Sequence, residues 1–324
     1  MKAIIQDRYG TPDVLKFQDI DRPTPGDDQV LVEVYAAGVE QGANHLMTGL
    51  PYLLRLGFGL RAPRGRVRGR ELAGRVEAVG AKVTRFRPGD EVFGMGEGSF
   101  AAYACARERK LARKPATLTF EQAAAITISA TTALQGICDA GQVKPGQQVL
   151  VTGAGGGVGT FAVQLAKAFG AEVTGVCGTA KTELVRSIGA DHVIDYTRED
   201  FVDGGRRYDV ILDLAGNRPV ARLRRALTPR GTLVLGGGED GGRWLGGMER
   251  GLGAVMLSPF VGQRLRWLLA SERSEDLERL SELAEAGTIT PAIGGTYPLS
   301  EAPEALRQLA AGQARGKLII TVRE

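Results

Sequence analysis

Val149-Leu-Val-Thr-Gly-Ala-Gly-Gly-Gly-Val-Gly159 is an apolar strand that runs into a glycine turn, and Phe161-Ala-Val-Gln-Leu-Ala-Lys-Ala-Phe169 continues it as a helix that Gly170 stops. Gly153, Gly156 and Gly159 recur at every third position, with Gly157 and Val158 between the last two. Without side chains at these points the backbone can approach a pyrophosphate, and its phosphates can sit over the free N–H groups at the helix N-terminus. A glycine turn alone is also compatible with a tight turn that binds nothing. What makes this one informative is its setting, because a second strand, Glu172-Val-Thr-Gly-Val176, follows the helix. Further apolar runs, His192-Val-Ile194, Asp209-Val-Ile-Leu-Asp-Leu214 and Gly231-Thr-Leu-Val-Leu235, alternate with helical segments. That rhythm predicts repeated strand–helix–strand units and a doubly wound parallel sheet.

The stretch after the second strand bears on the choice of dinucleotide. An NAD site usually places an Asp or Glu there to accept from the ribose hydroxyls. Here the residues are Val176-Cys-Gly-Thr-Ala-Lys181, with no acid before Glu183. Lys181 can neutralise a 2′-phosphate and Thr179 can donate to it, which favours NADP(H). The competing reading makes Lys181 a solvated residue in the first turn of a helix.

Outward from this centre the texture changes. Up to about Phe120, short apolar runs such as Val30-Leu-Val-Glu-Val-Tyr35, Leu72-Ala-Gly-Arg-Val-Glu-Ala-Val79, Glu91-Val-Phe93 and Phe100-Ala-Ala-Tyr-Ala104 are separated by Gly and Pro, as in an all-β unit. On the far side, Leu277, Leu280 and Leu283 share a helical face before Gly287, and the chain ends in the strand-like Leu318-Ile-Ile-Thr-Val322. The last thirty or so residues are expected to rejoin the N-terminal unit, although periodicity would equally allow this strand to join the parallel sheet. The predicted domains are 1–121, 122–291 and a returning segment, 292–324.

The chain has 324 residues, 46 of them Gly, and 43% hydrophobic residues, a composition of folded α/β proteins. No apolar stretch is long enough for a membrane span and the N-terminus lacks a secretion signal, so a cytosolic location and no membrane partner are expected. Cys105, Cys138 and Cys177 are too scattered for a disulfide framework or thiolate cluster, and two histidines, His45 and His192, leave little for metal or triad chemistry. The formal charge is +4, yet Arg55, Arg61, Arg64, Arg66, Arg68 and Arg70 lie in one segment without an intervening acid. The remainder is slightly acidic, which argues against a dedicated nucleic-acid-binding protein.

Several further motifs carry a family resemblance along essentially the whole chain: Pro23-Thr-Pro-Gly-Asp-Asp-Gln-Val-Leu-Val-Glu-Val34, Gly69-Arg-Glu-Leu-Ala-Gly-Arg-Val-Glu-Ala-Val-Gly80, Phe86-Arg-Pro-Gly-Asp-Glu-Val92, Leu184-Val-Arg-Ser-Ile-Gly-Ala-Asp-His-Val-Ile-Asp195 and Gly316-Lys317. Together with the glycine turn they resemble the medium-chain dehydrogenase/reductases, in their zinc-free quinone oxidoreductase-like branch. The resemblance implies an α/β chain with a GroES-like β-domain built from both chain ends, a Rossmann domain between them, the cofactor in the cleft, and a homodimer. It also implies that Thr132 holds the nicotinamide carboxamide, that Tyr196 flanks the 2′-phosphate, and that Lys317 belongs to the cofactor-binding set. Thr132 can also be read as an ordinary helix hydroxyl.

Departures from the family pattern shape the expected chemistry. Where zinc members carry Gly-His-Glu, this chain has Gly69-Arg70-Glu71, and Val39 falls near the position of a Cys ligand. No metal is therefore expected. Without a Lewis acid, a conjugated enone or quinone that delocalises incoming charge is the consistent substrate, reduced by NADPH. Val39-Glu40-Gln41-Gly42-Ala43 replaces the branch's Val-Asn-x-x-Asp, so Glu40 is either an acid with a raised pKa or a polar loop residue. Tyr52 matches a position where related reductases place a Tyr beside the nicotinamide, to bind or protonate the substrate carbonyl, against a plain amphipathic loop aromatic. Two alternatives stand beside the reductase: a zinc-free alcohol dehydrogenase or carbonyl reductase, and a cofactor-sensing or RNA-binding protein that uses the arginines and has vestigial catalysis.

Overall fold

The structure is a computed structural model that describes residues 1–238 and 241–323. In chain order its strands are β1 (Lys2–Gln6), β2 (Leu15–Asp19), β3 (Gln29–Val39), β4 (Glu71–Val79), β5 (Glu91–Met95), β6 (Tyr103–Arg107), β7 (Leu111–Arg113), β8 (Gln148–Thr152), β9 (Glu172–Cys177), β10 (His192–Asp195), β11 (Tyr208–Asp213), β12 (Leu227–Leu235), β13 (Arg264–Trp267), β14 (Ile293–Pro298) and β15 (Lys317–Thr321). The helices are α1 (Gln41–Thr48), α2 (Arg55–Phe58), α3 (Phe120–Leu134), α4 (Gly157–Ala168), α5 (Thr182–Ser187), α6 (Val220–Ala226), α7 (Met248–Leu257), α8 (Ser274–Glu285) and α9 (Ala302–Ala310).

The chain divides into two compact units, residues 1–131 with 272–324, and residues 132–271. These divisions fall inside α3 and just before α8, whereas the sequence reading draws them at 121 and 291. The reason is packing: Leu277 and Leu280 of α8 are fully buried, and α8 lies against β7 of the first unit.

In the first unit a sheet runs in the order β14-β15-β3-β4-β5-β7, with β6 also paired to β3, and β1 and β2 form a separate antiparallel pair. The returning segment does join the N-terminal unit: β15 is antiparallel to β3, with Leu318 opposite Val39 and Thr321 opposite Ala36. Val30, Val32 and Val34 point inward from β3 onto a core that includes Leu72, Phe100, Leu306 and Ile320. That core is fed from both chain ends. The predicted strand around Phe100 lies three residues later, at β6, because Phe100 turns into the core as the chain bends.

The second unit is a parallel sheet in the order β10-β9-β8-β11-β12-β13, the doubly wound Rossmann arrangement. From β8 the chain builds outward to β10 on one side and then returns to build β11 to β13 on the other. The direction changes between β8 and β11, where open α/β sheets hold ligands at the carboxyl ends of their strands. Central strands such as β8 are apolar on both faces, as Val149, Leu150 and Val151 are wholly buried. Among the described residues, no helix is long and apolar enough to cross a membrane.

Candidate functional site

The glycine turn lies at the switch point. Gly153 adopts φ +67°, which favours glycine, and Gly156 is the extended N-cap residue of α4 with no side-chain cap. Gly157, Val158 and Gly159 form the first helical turn, whose N–H groups have no intrahelical acceptor. A Cβ on Gly159 would sit 2.1 Å from the Gly153 carbonyl oxygen, so this glycine lets strand and helix pack. A Cβ on Gly156 would meet nothing closer than 3.3 Å. That one contact, with the Gly153 carbonyl oxygen, is tight, and the bare backbone there stands beside uncapped N–H groups, the form a dinucleotide pyrophosphate requires. Beneath the turn, the Thr152 hydroxyl donates to Asp213 at 2.6 Å and accepts from the N–H groups of Leu214 and Ala215 at 3.0 and 3.2 Å. Asp213 is also paired with Arg250, so the ends of β8 and β11 are locked together.

At the end of β9, Lys181 packs against the turn: a Cβ on Gly155 would lie 2.7 Å from the Lys181 Cβ. Tyr196 is exposed, and its hydroxyl would lie 3.3 Å from a Cβ placed on Gly178. Thr179 differs from the sequence reading. Its hydroxyl donates to Asp195 at 2.5 Å and so is committed to a carboxylate. Asp195 also accepts from the Thr197 N–H and hydroxyl at 3.0 and 2.7 Å. Donation from Thr179, then from Thr197, outweighs burial and holds the Asp195 carboxyl below the usual range. An acid does therefore stand beside this strand end, contributed by the neighbouring β10, where Asp195 registers with Cys177. Thr132 is half-buried at the end of α3. His192 lies on β10 and bonds Glu172, as a strand residue would.

The first unit holds a buried charge network. Glu71, on β4, accepts from the Ile128 N–H at 2.7 Å and is paired with Lys317, and both side chains are essentially inaccessible. Lys317 also donates to the Val39 carbonyl at 3.2 Å. Lys317, expected among the cofactor-binding residues, is held by the buried Glu71 carboxylate, and that pair joins β15 to β4. Glu40 is the N-cap of α1, where its carboxylate accepts from the Gly42 N–H, while Oε1 is buried without a partner. Burial, and then the Glu71 carboxylate, push the Glu40 carboxyl up; Arg70, Lys317 and the Gly42 N–H oppose this without reversing it. Tyr52 opens a short 3-10 turn, half-buried, with the Arg55 guanidinium 4.7 Å above its ring.

The residues at 70 and 71 are engaged in ion pairs. Arg70 is paired with Glu272, which Lys110 also holds, and Glu71 is saturated by Lys317 and Ile128. Among the described residues, no three His, Cys, Asp or Glu side chains converge as metal ligands. Sequence reasoning missed Asp195 and Glu272 as parts of these sites. The first is set by strand register and the second lies some two hundred residues from its partner.

Comparison with known proteins agrees with this architecture. Residues 26–116 match the alcohol dehydrogenase GroES-like domain, and residues 188–320 match a family described as zinc-binding dehydrogenase. The chain is 32% identical to the mouse NAD(P)H oxidoreductase RTN4IP1, mitochondrial, covering 99% of this chain and 89% of that one. It is 31% identical to human quinone oxidoreductase, over 99% and 97% of the two chains. Among solved structures, Escherichia coli quinone oxidoreductase complexed with NADPH superposes with a TM-score of 0.85 at 27% identity, covering 99% of this chain and all of the other. The quinone oxidoreductase from Coxiella burnetii reaches 0.88 at 28% identity, over 100% and 99%. Given a glycine turn at the switch point of a Rossmann unit, a GroES-like unit closed by both chain ends, and relatives of this identity along nearly the full length, the chain belongs to the medium-chain dehydrogenase/reductase superfamily, among the quinone oxidoreductase-like proteins, as an NAD(P)H-dependent oxidoreductase.

Proposed function

We propose that this oxidoreductase uses NADPH to reduce a conjugated carbonyl compound, a quinone or an enone, without a metal. The observation that carries the reading is the network at 69–71. Arg70 and Glu71 are consumed by Glu272 and Lys317, so this position offers no ligand set for a Lewis acid. A substrate that spreads the developing charge into its own conjugated system then needs only hydrogen-bond donors. The nicotinamide, when bound, supplies the hydride. Gly153, Gly156, Gly157, Val158 and Gly159 present backbone to the pyrophosphate, Lys181 and Tyr196 take the 2′-phosphate, and Thr132 orients the carboxamide. Tyr52 donates a hydrogen bond to the substrate oxygen, and Glu40, whose carboxyl burial pushes up, is the candidate acid upstream of it in sequence.

Asp195 supports a second reading of the cofactor. Its carboxylate can accept from an unphosphorylated ribose, which would admit NADH. Self-association is part of the proposal too: β13 is an open sheet edge, and Phe260, Met256 and Leu252 beside it are exposed by 84, 68 and 56%.

The test is isotopic. NADPH deuterated at its transferable position is expected to leave label on the β-carbon of an enone, with the carbonyl intact. Label on the carbonyl carbon would identify a carbonyl reductase instead. Activity is expected to survive a strong chelator, and one zinc per chain lost together with activity would refute the metal-free reading.

A further inference from the structure

Two stretches of backbone leave the sheet on the other side of the glycine turn from Lys181: residues 214–219 after β11 and residues 236–238 after β12. They lie backbone on backbone. A Cβ on Gly237 would sit 2.1 Å from the Leu214 carbonyl oxygen, and one on Gly216, whose φ is +70°, 2.6 Å from the Gly237 carbonyl carbon. The first stretch also abuts the turn, since a Cβ on Gly153 would meet the Ala215 nitrogen at 3.4 Å. With the 2′-phosphate assigned to Lys181 at the end of β9 and the pyrophosphate to the turn after β8, the next strand ends along the sheet, β11 and β12, fall to the nicotinamide nucleoside.

One side chain ties this floor together. Arg250 reaches in from α7 and is mostly buried. Its Nη2 is paired with the Asp213 carboxylate where the first stretch begins, its Nε donates to the Arg218 carbonyl at 3.0 Å near the end of that stretch, and its Nη1 donates to the Gly237 carbonyl at 3.5 Å in the second. Asp213 is the complementary hub. Besides the Thr152 hydroxyl on its other carboxylate oxygen, its carbonyl accepts from the N–H groups of Gly236 and Gly237 at 2.9 and 3.1 Å. The strands themselves do not need Arg250, because β8, β11 and β12 are already joined by their own parallel pairing. Its remaining bonds go to the loop carbonyls. A lysine would bring the same charge to Asp213 but not the planar fork that spans both stretches.

We propose that Arg250 is a positioning residue for the cofactor: it holds the backbone after β11 and β12 in the shape that receives the nicotinamide half, so that this half binds without first having to order its floor. The proposal rests on the placement of the dinucleotide given above. Among the described residues none of the bonds of Arg250 goes to the glycine turn, Lys181 or Tyr196, so the adenosine half of the cofactor is expected to be indifferent to it.

Arg250→Lys in the full-length chain is the discriminating variant, because it keeps a cation beside the buried carboxylate. Calorimetric titration compares NADPH with adenosine 2′,5′-bisphosphate, which carries the adenosine half alone. The variant is expected to bind the bisphosphate as the parent does and NADPH about tenfold more weakly, with its urea midpoint kept. NADPH affinity equal to the parent's overturns the proposal. So does a parallel loss of both ligands, which would make Arg250 a stabiliser of the whole unit. Should the urea midpoint fall, the double variant Arg250→Met with Asp213→Asn, which removes the buried charge along with its partner, carries the same expectation and the same two refutations. A parent chain that binds NADH and 5′-ADP in place of the phosphorylated pair would fault the NADPH reading, while the same split between those two ligands would leave the role of Arg250 standing. A parent that binds the whole cofactor but neither adenine nucleotide overturns the division into halves, and the proposal with it.

Discussion

Lys181 and Asp195 act with opposite charge on the same strand end, and Cys177 feels both: burial pushes its thiol up, Asp195 adds to that and Lys181 opposes it. If Lys181 holds a 2′-phosphate, Lys181→Ala is expected to weaken NADPH by about tenfold or more and NADH hardly at all, as read by fluorescence titration. Asp195→Asn is expected to weaken NADH and spare NADPH. Equal losses of both cofactors in Lys181→Ala would remove that lysine from the phosphate. Glu40 yields a prediction in pH. The folded chain keeps a proton there above 4.5, the ordinary carboxyl value at which the unfolded chain releases it. Stability from this group is therefore complete in acid and declines as pH rises through the raised folded value. Glu40→Gln, which imitates the protonated acid, should match the parent's urea midpoint in acid and exceed it at neutral pH. Lys181, Glu40 and Tyr52 were all legible as candidates because motif spacing marks their positions. The partners that decide what they do, Asp195 for one strand end and Glu71 for Glu40, depend on tertiary register and were not.

The contrast between two glycines tests the turn as an element. Gly159→Ala drives a Cβ to 2.1 Å from the Gly153 oxygen and 2.7 Å from the Ala154 Cα, both backbone atoms that cannot swing aside. A loss of about 1–3 kcal/mol is expected, with or without cofactor present. Gly156→Ala should nearly keep its melting temperature, since its one tight contact is at 3.3 Å, yet lose dinucleotide binding because the methyl stands where the phosphates approach. Differential scanning calorimetry and cofactor titration separate the two effects. Strong periodicity made β8, α4, β9 and β11 readable, and α8 was found with its stop at Gly287, φ +68°. Weakly patterned elements were not: β13 is four residues long, and the tail of α3 widens into a π-helical turn at Gln135–Ala140, with no local signal that distinguishes it from ordinary helix.

Over the whole molecule, the Lys317–Glu71 pair joins residues 246 positions apart. Lys317→Met would leave a buried carboxylate without its cation, and a loss of about 3–5 kcal/mol is expected in urea unfolding. A loss below about 1 kcal/mol would mean the pair is not buried as described. The return of the last strand to the first unit was anticipated from texture, but its place beside β3 came only with the sheet pairing. That placement sets an order on biosynthesis. Residues 132–271 are contiguous, so the Rossmann unit has all its strands as soon as its own stretch has left the ribosome. The first unit begins earlier and finishes later: β6 covers β3 from Gln29 to Glu33, but Ala36 to Val39 must wait, with one edge unpaired, until Leu318 and its neighbours are translated. The nascent chain therefore carries one short open strand end, Ala36 to Val39, through the synthesis of nearly three hundred residues, and that interval is when a holding chaperone has most to protect.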